Sequence, residues 1–462
     1  MLVAGVDSST QSTKVVLCQA EDGTIAGRGT APHPPGTESD PADWWAALQQ
    51  AGEGLLGRAA AVAVAGQQHG MVVLGDDGEV IRPALLWNDL RSAAQAAELV
   101  ADRGPRWWAR ETGTVPNASF TVTKLGWLAR HEPGHAARTA SVMLPHDWLT
   151  WRLGASEPTT DRGDASGTGY FSPATGRWLP EVVNGVLGHP VRLPRVARPA
   201  EIVGQAPWGA ALAAGTGDNM AAALGLGLAP GEVAASIGTS GTAFAVSEVP
   251  AADPAGDVCG FADATGRFLP LVCTVNAGLV LSSVAAMTGT DVAGLSERAL
   301  AAQPGAGGLT LLPYFDGERT PNRPAATGTL TGLTTRNATG ENLARAAVEA
   351  VLASLASVAG LLTSYGVECK SVLLIGGGAR SEAIRAAAPG IFGVPVDVPD
   401  PEEYVALGAA RQAAWALAGT PEPPQWPRRA VQRYEGSVQP GLLERFAALR
   451  DATATWEEGT TP

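Results

Sequence analysis

The sequence predicts a duplicated α/β fold in two domains, on three observations. A strand, a small polar turn and a second strand open the chain. The same pattern restarts near residue 230. Apolar runs of strand length alternate elsewhere with segments whose apolar residues recur at helical spacing. The domains are expected at 1–228 and 229–420, with a Pro-rich linker and a C-terminal helix packed back on the body over 421–462.

The elements follow in order. "MLVAGV", "DSSTQST" and "KVVLCQ" read as strand, turn and strand, and "IAGRGT" after the "EDGT" turn as a third strand. "SDPADWWAALQQAGEGLLG" has a capping Ser39 or Asp40, an early Pro41 and helical apolar spacing. "AVAVAG" and "MVVLGDDG" are strands on either side of the tip "QQHG". In the second half, "VAASIG", "TSGT" and "AFAVSE" repeat the opening pattern. "ENLARAAVEAVLASLASVAGLLTSYG" is a long helix closed by Gly366, "SVLLIGGGARSEAIRAAAPGIFG" is strand, glycine turn and helix, and "YVALGAARQAAWALAG" is a further helix. "TPEPPQWP" is the semi-rigid linker. Leu442, Leu443, Phe446, Leu449 and Trp456 mark the apolar face of the last helix.

Composition narrows the class. The chain's 462 residues suffice for two or three domains, and 45% hydrophobic with 17% charged residues is a globular balance. A formal net charge of −13 argues against nucleic acid as a bulk partner. Cys18, Cys259, Cys273 and Cys369 form no CxxC pair, which argues against a zinc site of usual spacing and a disulfide scaffold, and fits a reducing cytoplasm. "MLVAGVDSST" does not read as a signal peptide, and no apolar run approaches the ~18 residues of a membrane span.

Three small-residue turns follow strands: Asp7–Ser12, Gly238–Thr242 and Gly376–Arg380. Singly, each reads as an ordinary turn, and none is a Walker A loop or GxGxxG. Together, with two at corresponding points of the halves, they point to phosphate, because glycine lets backbone N–H groups approach an anion and hydroxyls add donors. The third is also expected to offer a helix N-terminus. Asp7 is either an Asx-turn residue or a Mg²⁺ partner beside a phosphate cradle. His69 is either a solvated turn histidine or a donor to a sugar hydroxyl. Asp218, in "LAAGTGDNMAAALGLG", is an N-cap, a general base, or both, since a helix start favours the ionised carboxylate that a base requires.

"SFTVTKLGWLARH" (119–131) and "GTLTGLTTRNATGENLARAAVE" (328–349) resemble the two signatures of the FGGY carbohydrate kinases. "DSSTQSTK", "GDN", "SIGTSG", "LLPYFDGERTPNRP" and "LIGGGARSE" fall in the matching order, so the resemblance spans residues 1 to about 420. Within the family, "GQQHGMVVL", "IRPALLWNDLRS" and "LPHDWLTWRL" are most similar to xylulokinases.

The resemblance implies two actin-like (ribonuclease H-like) domains with a cleft between them, the sugar in the first and ATP mainly against the second. It implies phosphorylation of D-xylulose at its 5-hydroxyl by MgATP in the cytoplasm, by a chain that can pair as a homodimer. Asp218 would be the base, and Gln68, His69 and Asn219 would contact the sugar with it. Asp7 would hold Mg²⁺. Thr10, Gln11, Ser12, Gly238, Thr239, Ser240, Gly376, Gly377 and Gly378 would hold ATP. Two positions depart from the pattern. Ser9 stands where the family often has glycine, and Gln68 where xylulokinases commonly have methionine. A kinase for another ketose or a polyol, and a non-catalytic regulator, are the alternatives.

Overall fold

The computed structural model describes residues 1–428 and 431–456. The chain forms two compact units. The first takes residues 1–228, 247–270 and 402–427, and the second takes 229–246, 271–401 and the chain from Arg428 on. The expected boundary near 228 meets a more interleaved path: Tyr404–Ala418, assigned from sequence to 229–420, packs with the first unit.

The first unit is built on seven strands: β1 (Leu2–Ser8), β2 (Ser12–Gln19), β3 (Ile25–Pro32), β4 (Ala61–Gly66), β5 (Ile202–Gln205), β6 (Ala211–Ala213) and the two-residue β7 (Thr216–Gly217). Their order is β3-β2-β1-β4-β6-β5, with β7 also beside β4. β1 to β3 are an antiparallel meander, β4 runs parallel to β1, β6 and β7 run parallel to β4, and β5 returns antiparallel. The strands flanking the Gln67–Gly70 tip do not pair with each other. Val72–Leu74 instead pairs with Ser141–Met143, because both sides of β4 are already occupied.

Alternation along β1 feeds two cores. Ala4 and Val6 face the Pro41–Ala51 helix, which contributes Trp44 and Leu48 and is capped by Asp40 through the Ala42 N–H. Val3 faces the Tyr404–Ala418 helix, whose Ala406, Ala409, Ala410 and Ala413 cover it together with Ala61, Ala63 and Ala65. Alanine on both sides lets the helix lie close to the sheet.

The second unit repeats most of this topology. Six strands of its seven-stranded sheet are β8 (Glu232–Ile237), β9 (Gly241–Ala245), β10 (Phe268–Thr274), β11 (Ser371–Ile375), β12 (Val396–Pro399) and β13 (Val431–Tyr434), ordered β10-β9-β8-β11-β12-β13. β8 to β10 are antiparallel, β11 is parallel to β8, β12 parallel to β11, and β13 antiparallel to β12. The meander and the two parallel strands after it match the first sheet in order and polarity, whereas the antiparallel edge strand differs in connection: β5 precedes β6 in the chain and β13 follows β12. β13 lies just beyond the linker and carries no apolar pattern that predicts it.

The long helix, Gly340–Leu361, continues as a 3₁₀ turn to Tyr365 and ends at left-handed Gly366. Contrary to the sequence expectation, its length and composition would suffice to cross a membrane. Its middle, from Ala344 to Leu355, is buried throughout, so it is the central helix of this unit. The last helix, Leu442–Thr453, buries Leu442, Phe446 and Leu449. Leu443 and Trp456, expected on its apolar face, are 38% and 61% exposed: Leu443 sits one residue round from the buried stripe and Trp456 lies past the helix end.

Candidate active site

In the first unit the chain enters the site where β1 ends. Asp7 is the penultimate residue of β1 and is 3% exposed. Its Oδ1 is buried with no hydrogen-bond partner among the described residues. Burial pushes its carboxyl up to about 7. Lys14, opposite it in the β1–β2 register, works against this, and Glu403 adds to it. Lys14 itself pairs with Glu403 at 2.6 Å.

The turn after Asp7 is closed by Ser9, whose N–H and hydroxyl both donate to the Ser12 carbonyl at 3.1 Å. The left-handed non-glycine residues among those described are His69 and Ala306, so Ser9 fits this turn with an ordinary φ. Thr10 receives a hydrogen bond from the Trp87 indole at 2.8 Å and donates to Gln67 Oε1 at 3.4 Å. Gln11 is exposed and Ser12 partly so.

β4 delivers the second group. Gln68 is 4% exposed, and its Oε1 accepts from Asn219 Nδ2 at 3.1 Å while its Nε2 is buried without a partner among the described residues. His69 adopts φ 69°, a conformation that costs a non-glycine residue of order 1 kcal/mol or more. Its Nδ1 lies 2.6 Å from the Gly167 carbonyl, which can only accept, so this nitrogen carries a proton. The ring packs on Phe120 and Phe261, with centroids 4.7 and 5.9 Å away. A histidine held this tightly is not a solvated turn residue.

Asp218 comes from β7. The helix is Asp218–Leu226, its N-cap is Gly217, and the Gly217 cap makes no side-chain bond. Asp218 is therefore the first helical residue and not the cap, which corrects one reading of the sequence. Its Oδ1 accepts from the N–H of Asn219 at 2.8 Å and from Asn219 Nδ2 at 2.9 Å. The side chain lies deep among protein atoms yet keeps a partly accessible face. Burial, followed by the charge of Asp7, pushes its carboxyl up to about 7. The charge state of Asp7 therefore bears on when Asp218 ionises.

Several residues here escaped the sequence reading: Gln67, Trp87, Lys14, and a fully buried set behind β7 comprising His146, Asp147, Asp161 and Asp164. Lys14, Gln67, Trp87, His146 and Asp147 stand inside motifs quoted above without being singled out, and Asp161 and Asp164 lie in the dense polar run "TTDRGDASGT".

In the second unit, the loops Gly238–Ser240 and Gly376–Gly378 leave the C-terminal ends of parallel neighbours β8 and β11, where Ser236 pairs with Ile375. The unit brings them together: a Cβ on Gly376 would lie 2.6 Å from the Ile237 carbonyl oxygen, and one on Gly378 would strike the Ile237 side chain at 2.2 Å. Gly238, Thr239, Ser240, Gly376 and Gly377 are exposed. Loops at the carboxyl ends of parallel strands are where open α/β sheets bind ligands. The expectation that Gly376–Arg380 opens a helix is corrected: Gly377–Arg380 is a 3₁₀ turn, and the α-helix begins at Glu382 with Ser381 as its cap. The glycines offer turn amides rather than a helix terminus. The Gly278–Met287 helix begins beside the first loop, and its first N–H donates to the Gly238 carbonyl at 2.9 Å.

The chain is similar to known proteins along nearly its whole length. The chain is 46% identical to the xylulose kinase of Streptomyces rubiginosus, over 99% of this chain and 98% of that one. It is 48% identical to that of Streptomyces coelicolor, over 90% and 88%. The crystal structure of xylulose kinase from Bifidobacterium adolescentis superposes with a TM-score of 0.92 at 44% identity, covering 97% of this chain and 99% of that one. Residues 2–227 match the N-terminal domain, and residues 233–417 the C-terminal domain, of one family. The chain belongs to the FGGY family of carbohydrate kinases.

Proposed function

We propose that this carbohydrate kinase transfers the γ-phosphoryl group of ATP to the 5-hydroxyl of D-xylulose, with Asp218 as the base. The observation that carries the reading is similarity to xylulose kinases along essentially the whole chain, at 46% identity. The sugar would lie against Gln68, His69, Asp218 and Asn219. Gln68 can present the buried Nε2–H to a sugar oxygen, and the Gly167 carbonyl and the two phenyl rings fix the angle of His69. Thr10, Gln11 and Ser12 would meet the phosphates, and Gly238–Ser240 and Gly376–Gly378 the nucleotide.

The orphaned Asp7 Oδ1 is a hard oxygen donor and fits Mg²⁺, which takes one or two carboxylates plus phosphate oxygens. Bound there with ATP, the ion would supply neutralisation of phosphate charge. The chain's own residues do the rest. A sugar hydroxyl is far too weak an acid to be ionised beforehand. Asp218 accepts a hydrogen bond from it, aims it at phosphorus, and takes its proton as the new O–P bond forms and the bond to ADP breaks. Asn219 holds Oδ1, which leaves Oδ2 for the hydroxyl. None of the four cysteines is in a disulfide among the described residues, in keeping with a cytoplasmic setting.

A sugar panel with ADP release as readout tests the substrate. D-Xylulose is expected to give the highest kcat/KM. A higher value with D-ribulose or a polyol would move the assignment, and sugar binding without ADP release would make the protein a non-catalytic binder.

The raised carboxyl of Asp218 also predicts a pH profile. A base works only when ionised, and a group titrating at about 7 is protonated as pH falls through that value. The kcat/KM is expected to be level above pH ~8 and to fall about tenfold per unit below pH ~6. A level profile down to pH 5 would contradict it.

A further inference from the structure

A fully buried group of charged side chains in the first unit lies behind the residues that would meet substrate. His146, Asp147, Asp161 and Asp164 are all 3% exposed or less. Three carboxylates and an imidazole without access to water are destabilising unless they are paired and serve some purpose. Their bonds lead to one place. His146 Nδ1 donates to Asp164 Oδ2 at 2.6 Å, and Asp147 Oδ1 lies 3.2 Å from the same nitrogen. Asp164 sits in the short Arg162–Ala165 helix, which Asp161 caps through the N–H groups of Gly163 and Asp164 at 2.9 Å. The same Asp161 carboxylate accepts from the Thr216 hydroxyl at 2.8 Å. Thr216 belongs to β7, two residues before Asp218.

The surroundings are shaped to admit this network. A Cβ on Gly66 would lie 2.9 Å from His146 Cβ, one on Gly215 2.7 Å from His146 Cδ2, and one on Gly217 3.2 Å from Asp164 Oδ1. Gly66 ends β4 just before Gln67 and Gln68, and Gly215 and Gly217 flank Thr216. Gln412 adds a brace from the Tyr404–Ala418 helix, its Nε2 donating to the Gly215 carbonyl at 3.1 Å. The loop that begins at Asp161 also supplies the Gly167 carbonyl that orients His69.

We propose that His146, Asp164, Asp161 and Thr216 are positioning residues for the phosphoryl-transfer site, fixing the strand from which Asp218 projects and the carbonyl that aims His69. This rests on the reading of Asp218 as the base. His146 serves as the buried cation of the network. Burial disfavours the imidazolium, but the carboxylates around it outweigh that and hold it up at about 9. His146, Asp147 and Asp164 also have donor atoms close enough together for a metal ion. However, a 2.6 Å contact between His146 Nδ1 and Asp164 Oδ2 is a closed hydrogen bond with no space for an ion between the two atoms.

The test separates positioning from stability. Thr216→Val keeps the side-chain shape and removes the hydroxyl, whereas Thr216→Ser keeps the hydroxyl. A small displacement of a reacting group is costly, so Thr216→Val is expected to lower kcat per folded molecule by about 10- to 100-fold, with KM for ATP and the melting temperature little changed. Thr216→Ser is expected to restore most of the rate. Wild-type kcat in Thr216→Val, or equal impairment of both variants, would overturn the proposal. Should Thr216→Val not fold, Asp164→Asn decides. Its carbonyl oxygen still accepts from His146 while the charge is lost, so a fall in kcat is expected, and an unchanged kcat overturns the proposal. Elemental analysis of the purified protein is expected to find no tightly held metal. One equivalent that Asp164→Asn loses would replace the imidazolium with an ion. Asp218→Asn is run alongside. If it is slow while Thr216→Val is normal, only the network fails; if Asp218→Asn itself is normal, the base reading fails.

Discussion

Asp218→Asn is expected to lower kcat by about 10²- to 10⁴-fold, the range a positioned base supplies. The substitution is close to isosteric, and the carbonyl oxygen of asparagine can still accept from the Asn219 N–H and Nδ2, so the helix start keeps its shape. The charge alone is lost. Its removal relieves a carboxylate that burial and Asp7 both disfavour, so the melting temperature is expected to stay level or rise. Loss of rate with gain of stability distinguishes a functional carboxylate from a structural one. Single-turnover rates with D-xylulose, taken beside thermal melts, are the measurement. Wild-type turnover in the pure variant would remove Asp218 from the chemistry.

The second large effect is expected at Gly408, which bears no reacting group. A Cβ there would lie 1.8 Å from the Ala221 carbonyl oxygen and 2.9 Å from the Gly225 nitrogen, both in the helix that begins at Asp218. The contact is reciprocal: a Cβ on Gly225 would lie 2.0 Å from the Tyr404 carbonyl oxygen. On its sheet side the Tyr404–Ala418 helix is as close, with the position of a Gly5 Cβ 1.9 Å from the Ala406 carbonyl oxygen. The obstacles are backbone, which no rotamer change can clear. Overpacking usually costs about 1–3 kcal/mol, and Gly408→Ala is expected at the upper end or beyond. The helix pair must part, which moves Asp218, so activity is expected to fall further than the folded fraction does. Gly57→Ala is the control, since nothing lies within 4 Å of a Cβ there. Equal melting temperatures for the two variants would show that the helices can separate without cost.

The duplicated fold was legible because it rests on local patterns. β1 to β3, β8, β9 and β11, and the helices at 340–361, 382–392 and 404–418, are apolar runs bounded by turn residues, and such patterns survive in a bare sequence. Asp7, Gln68, His69 and Asp218 were legible through motifs. His146 and Asp161 were not, because a polar residue is read as surface by default and burial is decided by elements distant in sequence. β13 was missed for a related reason: its burial pattern is mostly exposed and only its partner β12 makes it a strand. The Asp218 cap question turned on a shift of one residue, finer than periodicity resolves. Leu443 failed in the same way, its neighbour Leu442 being the residue that turns inward.

The first unit's reliance on residues 402–427 bears on how the protein is made. A ribosome releases β1, β2 and β4 early, but the helix that covers Val3, Val16, Ala61, Ala63 and Ala65 emerges only after nearly the whole chain. At about 5–20 residues per second, that alanine- and valine-lined face waits on the order of ten seconds or more for its cover. During that interval the nascent chain presents a bare sheet face, so its safe passage depends on how well the cell shields an unfinished protein.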